Sequence, residues 1–294
     1  MSAVGTRQKV ARNLRCFNGG QQNLNKTRTF RALRILLTRP CGAKNYRTHG
    51  FPALAIPSGS GTLQFAAAMF IPIKDLNPRR TVPVVNTLLI LVNIAAFIYP
   101  LTLPANTMKA FVIANATIPA RFPGWLSGHV PFEVAFLPLL TSMFLHSSIP
   151  HIGGNMLFLW IFGDNVEDFY GHIGYLFFYL ICGIGSGIMH VIFNLYSTVP
   201  ALGASGAISG VMGAYFLLYP RSQVLTWLFF IFFVPLPAVV FLGVWFALQF
   251  LSAISPQNTY MSLHGGVAWW AHVGGFLLGM LITIVLKAGR TTDR

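Results

Sequence analysis

Six stretches of this 294-residue chain are apolar enough to lie in lipid, separated by polar or proline-rich punctuation. A membrane-crossing helix needs about 20 apolar residues, fewer where neighbouring protein shields it. The first run covers 82–103. A mixed stretch with Trp125, His129 and five prolines from Pro104 to Pro138 follows and reads as a long loop. The second run, 149–163, is short and closed by "GDNVED", whose Asp164, Glu167 and Asp168 read as a solvated helix end. The third covers 175–196, and the fourth, 203–219, stops at Pro220-Arg221. The run 224–251 is too long for one straight span. Pro235 and Pro237 divide it into an interfacial piece and a fifth helix. The sixth covers 268–286. The pattern predicts an all-α membrane protein built as a six-helix bundle.

Composition supports lipid and removes other classes. Residues are 54% hydrophobic and only 9% charged, where a soluble domain carries about 25% charge. The net charge of +14 invites a nucleic-acid reading, but eleven of the 20 Lys and Arg precede Met69, and no Asp or Glu does. The excess therefore belongs to a tail, and no nucleic-acid partner is expected. That basic, acid-free extension, 1–68, reads either as an organelle leader or as a stretch upstream of a true start at Met69, without catalytic role. The folded domain is expected over 69–290, with a tail at 291–294. Cys16, Cys41 and Cys182 form no metal-ligand spacing and no disulfide framework. With the flank of Lys74, Arg79 and Arg80 placed in the cytoplasm, Arg221, Lys287, Arg290 and Arg294 also fall inside, against Lys109 and Arg121 outside. The positive-inside rule then puts both termini in the cytoplasm.

Ionisable and polar side chains inside spans are costly, and are functional candidates by default. In this topology helices two, four and six run inward from the outer face. Near their outer ends stand His151 and Asn155, then Ser205, then His272. Ser205 and His272 each lie about four residues into their runs, about 6 Å below the edge at ~1.5 Å per residue. His151 and Asn155, four apart, share one helical face. Helix four reads "GASGAISGVMGAYF", with Gly206, Gly210 and Gly213 beside Ser205; helix six reads "AHVGGFLLGM", with His272, Gly275 and Gly279 on one face. Small residues let helix backbones approach in lipid, so serine and imidazole can reach hydrogen-bond distance. Taken singly, each has a bland reading: a lone Ser bonds its own backbone, and a glycine stripe means packing. Asn93 and His190 read as packing or interhelical bonds, and His146 and His264 as outer-loop residues.

The segments "HIGGN" (151–155), "GASG" (203–206) and "AHVGGFLLG" (271–279) resemble the three signature segments of rhomboid proteases, in family order, over about 69–290. The resemblance implies a six-helix rhomboid-like bundle and a serine endopeptidase with a Ser–His dyad that cuts single-span or multi-span membrane proteins near the outer face. It makes Ser205 the nucleophile and His272 the general base, then acid. His151, Asn155 and the Ser205 backbone N–H become the oxyanion hole, and Gly203, Gly206, Gly210, Gly275 and Gly279 pack the helices around the site. One position departs from the pattern: the Trp-Arg pair of the best-known bacterial rhomboids is replaced by Leu137 and Pro138. The alternatives are a catalytically inactive rhomboid-like protein that binds membrane clients and, from another class, a transporter. A bacterial plasma membrane is the expected location, or an organelle inner membrane if 1–68 is a transit peptide. No cofactor or metal is implied, because His146 and His151 are too few ligands for a closed zinc site. Oligomeric state is left open.

Overall fold

The computed structural model describes residues 70–255 and 266–292. The segment 1–68 and His264 lie outside them. Among the described residues the chain is mostly helical, with one small sheet. It runs β1 (Phe70–Asp75), α1 (Val84–Leu101), α2 (Ala105–Asn115), α3 (Arg121–Leu126), α4 (Phe132–Thr141), a 3₁₀ turn (Ser142–Phe144), α5 (Ile149–Tyr170) and α6 (His172–Phe193). Then come α7 (Ser205–Leu218), β2 (Gln223–Leu228), β3 (Phe232–Pro237), α8 (Ala238–Ile254) and α9 (Trp269–Thr292).

The distribution of side chains is inverted relative to a water-soluble protein. Leu88, Leu91, Val92 and Ile98 of α1 and Ile173, Phe177 and Ile181 of α6 are exposed, while Asn86, Asn93, Glu167, Ser186 and Gln249 are buried. Apolar surface outside and polar groups drawn inside is what a hydrocarbon solvent demands. Three helices, α1, α6 and 269–289 of α9, are long and apolar enough to cross a bilayer. A fourth crossing is available if the pair Phe132–Phe144 and Ile149–Tyr170, bent by 77°, counts as one span. The chain is an integral membrane protein.

Helix α7 is the centre of the bundle. It is 14 residues long, and every residue from Gly206 to Tyr215 is buried. Its glycines are the reason. A Cβ at Gly275 would overlap the Gly206 carbonyl oxygen, one at Gly279 the Gly210 carbonyl oxygen, and one at Gly213 the Phe276 carbonyl oxygen. The matched order 206/275, 210/279 means that α7 and α9 run parallel, backbone against backbone. Across α6 the order reverses: Ser186 faces Gly206 and Cys182 faces Gly210, so α6 is antiparallel. Small residues make such approach possible.

Three expectations need correction. First, the fold is not all-α. β1, β2 and β3 form an antiparallel sheet in that order, with Val224 opposite both Asp75 and Leu236. The interfacial piece of 224–251 is thus a hairpin, turned at Phe229 and Phe230 with φ of 53° and 59°. Second, the supposed loop at 104–138 is built of α2, α3 and α4. Arg121 ties it together by donating to the carbonyls of Ile113 (2.7 Å) and Ala116 (3.2 Å). Pro138 sits inside α4, where its carbonyl accepts the Thr117 hydroxyl at 3.0 Å.

Third, "GDNVED" does not close α5 as a solvated end, since the helix continues to Tyr170. Glu167 is fully buried and accepts the backbone N–H groups of Val85 (2.9 Å) and Asn86 (2.7 Å). These are orphan donors of a helix start whose own N-cap is proline, and a carboxylate there also meets the positive end of the dipole. His172 Nδ1 bonds the same carboxylate at 2.5 Å. Gly171, with φ of 70°, makes the whole connection from α5 to α6. Asn93 and His190 were expected to serve packing or interhelical bonds: Asn93 is buried in the bundle and donates to the Leu89 carbonyl of its own helix, and the His190 carbonyl accepts from Asn194 one turn on.

Candidate active site

Ser205 is the first residue of α7, not a residue four positions into a span, as its run in the sequence suggested. No side chain caps this helix start, so its leading N–H groups are not claimed by a capping residue. The bend that delivers Ser205 needs Gly203, whose φ of 130° is closed to ordinary side chains. The Gly203 N–H is fixed by the Ser142 carbonyl at 2.9 Å.

His272 is the fourth residue of α9. Its Nε2 lies 2.8 Å from Ser205 Oγ, and its Nδ1 lies 2.8 Å from Gln249 Oε1 of α8. The two contacts define the tautomer. A carbonyl oxygen only accepts, so Nδ1 carries the proton and Nε2 is the bare nitrogen that accepts from the serine hydroxyl. Trp245 and Trp269 flank the ring at 6.0 and 6.1 Å between centroids. The parallel seam of α7 and α9 sets this separation, because Gly206, Gly210, Gly275 and Gly279 hold the two backbones in contact just below the pair.

His151 enters from the start of α5. There Ser148 is the N-cap and Pro150 occupies the first turn, which fixes the ring's point of departure. The ring abuts the Gly203 turn: a Cβ on Gly203 would come 2.8 Å from Nε2. His151 Nδ1 faces Ser147, 3.1 Å from its hydroxyl and 3.5 Å from its backbone N–H. A backbone N–H can only donate, so Nδ1 is the acceptor and Nε2–H the donor, on the side of Ser205. His146 packs edge-on against this ring at 5.1 Å. Asn155 is buried, and its Nδ2 donates to the His151 carbonyl at 2.9 Å, which leaves its second amide hydrogen.

So Ser205, His272, His151 and Gly203 come together around one point, with Asn155 one turn below His151. Gln249 joins them, although little in the sequence singles it out. It is the lone amide in the apolar run 224–251, and a buried amide in a span is itself a signal. Among the described residues no group of three or more His, Cys, Asp or Glu could hold a metal ion. Chemically, the arrangement offers a hydroxyl beside a bare imidazole nitrogen and, on the other side, N–H donors.

The Rhomboid domain model matches residues 134–289. The chain belongs to the rhomboid family. It is 30% identical over 150 residues, 49% of its length, to Rhomboid protein 1, mitochondrial, of Saccharomyces cerevisiae, covering 40% of that protein. It is 29% identical over 168 residues to RHOMBOID-like protein 12, mitochondrial, of Arabidopsis thaliana, covering 52% of this chain and 47% of that one. With Rhomboid protease GluP of Bacillus subtilis it shares 46% identity over 81 residues, 28% of this chain and 15% of the other. The matches thus span less than half the length of these relatives.

Proposed function

We propose that this protein is an intramembrane serine endopeptidase that cuts membrane-protein substrates with Ser205 and His272. The observation that carries the reading is the 2.8 Å contact between Ser205 Oγ and His272 Nε2, with Nδ1 occupied by an acceptor. In the reaction Ser205 Oγ attacks the scissile carbonyl carbon and its proton passes to His272 Nε2. The C–N bond then breaks as the imidazolium returns that proton to the leaving amine. Water, deprotonated by His272, attacks the acyl ester and regenerates the hydroxyl. The Ser205 backbone N–H, His151 Nε2–H and Asn155 Nδ2–H supply donors for the oxyanion of each tetrahedral intermediate. A dyad without a carboxylate suits a site where a buried acid is expensive.

The same reading takes the bundle as six crossings with both ends on the cytoplasmic or matrix side. Helix α7, at 14 residues, is short for a span, but burial by protein on all sides removes the need for full hydrocarbon length. Relatives with "mitochondrial" in their names favour an organelle inner membrane over a bacterial plasma membrane, in keeping with the Arg-rich, acid-free residues before Met69.

The test uses the full chain in detergent with a single-span substrate and a fluorophosphonate probe. Wild type should cleave and should label at Ser205. Ser205→Ala and His272→Ala should do neither while keeping the wild-type thermal midpoint. Cleavage by Ser205→Ala near the wild-type rate would overturn the assignment. A wild type that folds but neither cleaves nor labels would make the chain an inactive member of the family.

A further inference from the structure

We propose that Gln249 is the positioning residue for His272, a neutral acceptor that holds the imidazole in its reactive tautomer; this rests on reading Ser205 and His272 as nucleophile and base. A neutral imidazole has a single N–H, and where it resides decides what the ring can do. With Gln249 Oε1 at 2.8 Å from Nδ1, the proton stays on Nδ1 and Nε2 faces Ser205 as a base. Were the amide turned the other way, its NH₂ would donate to Nδ1. The proton would then sit on Nε2 and donate to the serine oxygen, and that ring could not take the hydroxyl proton. A third residue that orients imidazole through Nδ1 is a general device for such pairs, commonly an acid. Here an uncharged amide does the work without burying a carboxylate in lipid.

Geometry supports more than a tie between helices. Gln249 is 4% exposed and reaches His272 from α8, the element that also lays Trp245 against the ring. The titratable groups that face His272 are His151 of α5 and His190 of α6. From α7 comes Ser205, and from α9 itself Trp269. No carboxylate of the described residues is among them, so Gln249 is the acceptor described at Nδ1.

The experiment measures kcat and KM against pH, and the fluorophosphonate labelling rate of Ser205, per folded molecule of the full chain. Wild type, Gln249→Leu and Gln249→Glu are compared. Gln249→Leu should lower kcat and the labelling rate together by about tenfold or more, the worth of one buried hydrogen bond, with KM near the wild-type value. Gln249→Glu restores an acceptor and adds charge. A nearby carboxylate favours imidazolium, and imidazolium cannot accept the serine proton. The acid limb of kcat/KM should therefore move up by about 1–3 pH units, with activity recovered above it. Wild-type labelling by Gln249→Leu, or a Gln249→Glu protein whose acid limb stays in place while only its thermal midpoint shifts, would overturn the proposal and leave a structural tie. If Gln249→Leu does not fold, the limb of Gln249→Glu decides alone. Failure of wild type to label would strike the protease reading itself, and this inference with it.

Discussion

His151 and Asn155 stand one helical turn apart on α5, but their hydrogen bonds make them unequal donors. His151 has its Nδ1 directed to Ser147, so Nε2–H is free for a developing charge. Asn155 has already committed one amide hydrogen to the His151 carbonyl, so its loss also loosens the turn that aims His151. As oxyanion donors, each should cost about 10²–10³ in kcat when replaced by alanine. The double variant should cost less than the product, since the two serve one charge. His151→Ala should keep its thermal midpoint and Asn155→Ala should lose some. Both quantities are measured on one preparation, and full kcat per folded molecule in Asn155→Ala would remove that residue from the site. At this scale Ser205, His272, His151 and Asn155 were legible as polar residues in apolar surroundings. What was not legible was the direction of each bond. Gln249 shows why: its importance lies in which amide atom faces His272, and a sequence carries no such information.

Among the elements, the α7–α9 seam is where small changes should be felt most. A Cβ at Gly275 would overlap the Gly206 carbonyl oxygen, which is backbone and cannot swing aside. Gly275→Ala should therefore push α9 away from α7. It should cost about 1–3 kcal/mol of stability and lower Ser205 labelling further, because the same seam sets the Ser205–His272 distance. Gly153, exposed on α5, has nothing within 4 Å of its would-be Cβ. Gly153→Ala should be neutral or stabilising by up to about 1 kcal/mol. Equal thermal midpoints for the two variants would contradict this account of the packing. The long helices α1, α6 and α9 were legible because apolar runs of span length leave few alternatives, whereas the sequence of α2, α3 and α4 reads as loop. The hairpin was not, for two physical reasons. The run 224–251 has no polar alternation to mark strands, and a turn with two successive positive φ angles normally announces itself as Asn-Gly. Here Phe229 and Phe230 hold those angles. Similarly, Glu167 of "GDNVED" looked solvated because its partners, the N–H groups of Val85 and Asn86, stand about 80 residues away and belong to backbone.

Across the whole molecule, the site and the sheet occupy opposite ends of α7. Ser205 opens the helix, while Tyr215, about 15 Å further on at ~1.5 Å per residue, donates its hydroxyl to Asp75 Oδ2 at 2.5 Å. Around Asp75 the far end is knitted together. The Asn77 side chain bonds Asn165 of α5, the Leu76 N–H reaches the Gln223 carbonyl at 2.9 Å, and Asp168 accepts the Arg80 and Thr81 N–H groups at 2.6 and 2.9 Å. Asp75 stands ahead of the first long apolar helix, and its half-buried carboxyl gives the molecule a titration that can be followed apart from the candidate site. Burial pushes the Asp75 carboxyl up to about 6, against the lowering effect of the Tyr215 and Asn77 hydrogen bonds. Its folded value thus exceeds the unfolded one, near 3.8. Between those values the folded state binds the proton that the unfolded state has released. The stabilisation is accordingly complete below about pH 4 and is lost as pH rises through about 6. Asp75→Asn keeps a carbonyl to accept from Tyr215 but cannot ionise. The thermal midpoint of wild type minus that of Asp75→Asn should therefore fall between pH 4.5 and pH 7.5. To keep other titrations out of the comparison, both proteins are melted side by side at each pH, in detergent, with Ser205→Ala as the common background. A difference that stays flat across the range would mean that Asp75 is ionised throughout in the fold, and a difference that rises would mean that its bonds to Tyr215 and Asn77 outweigh its burial.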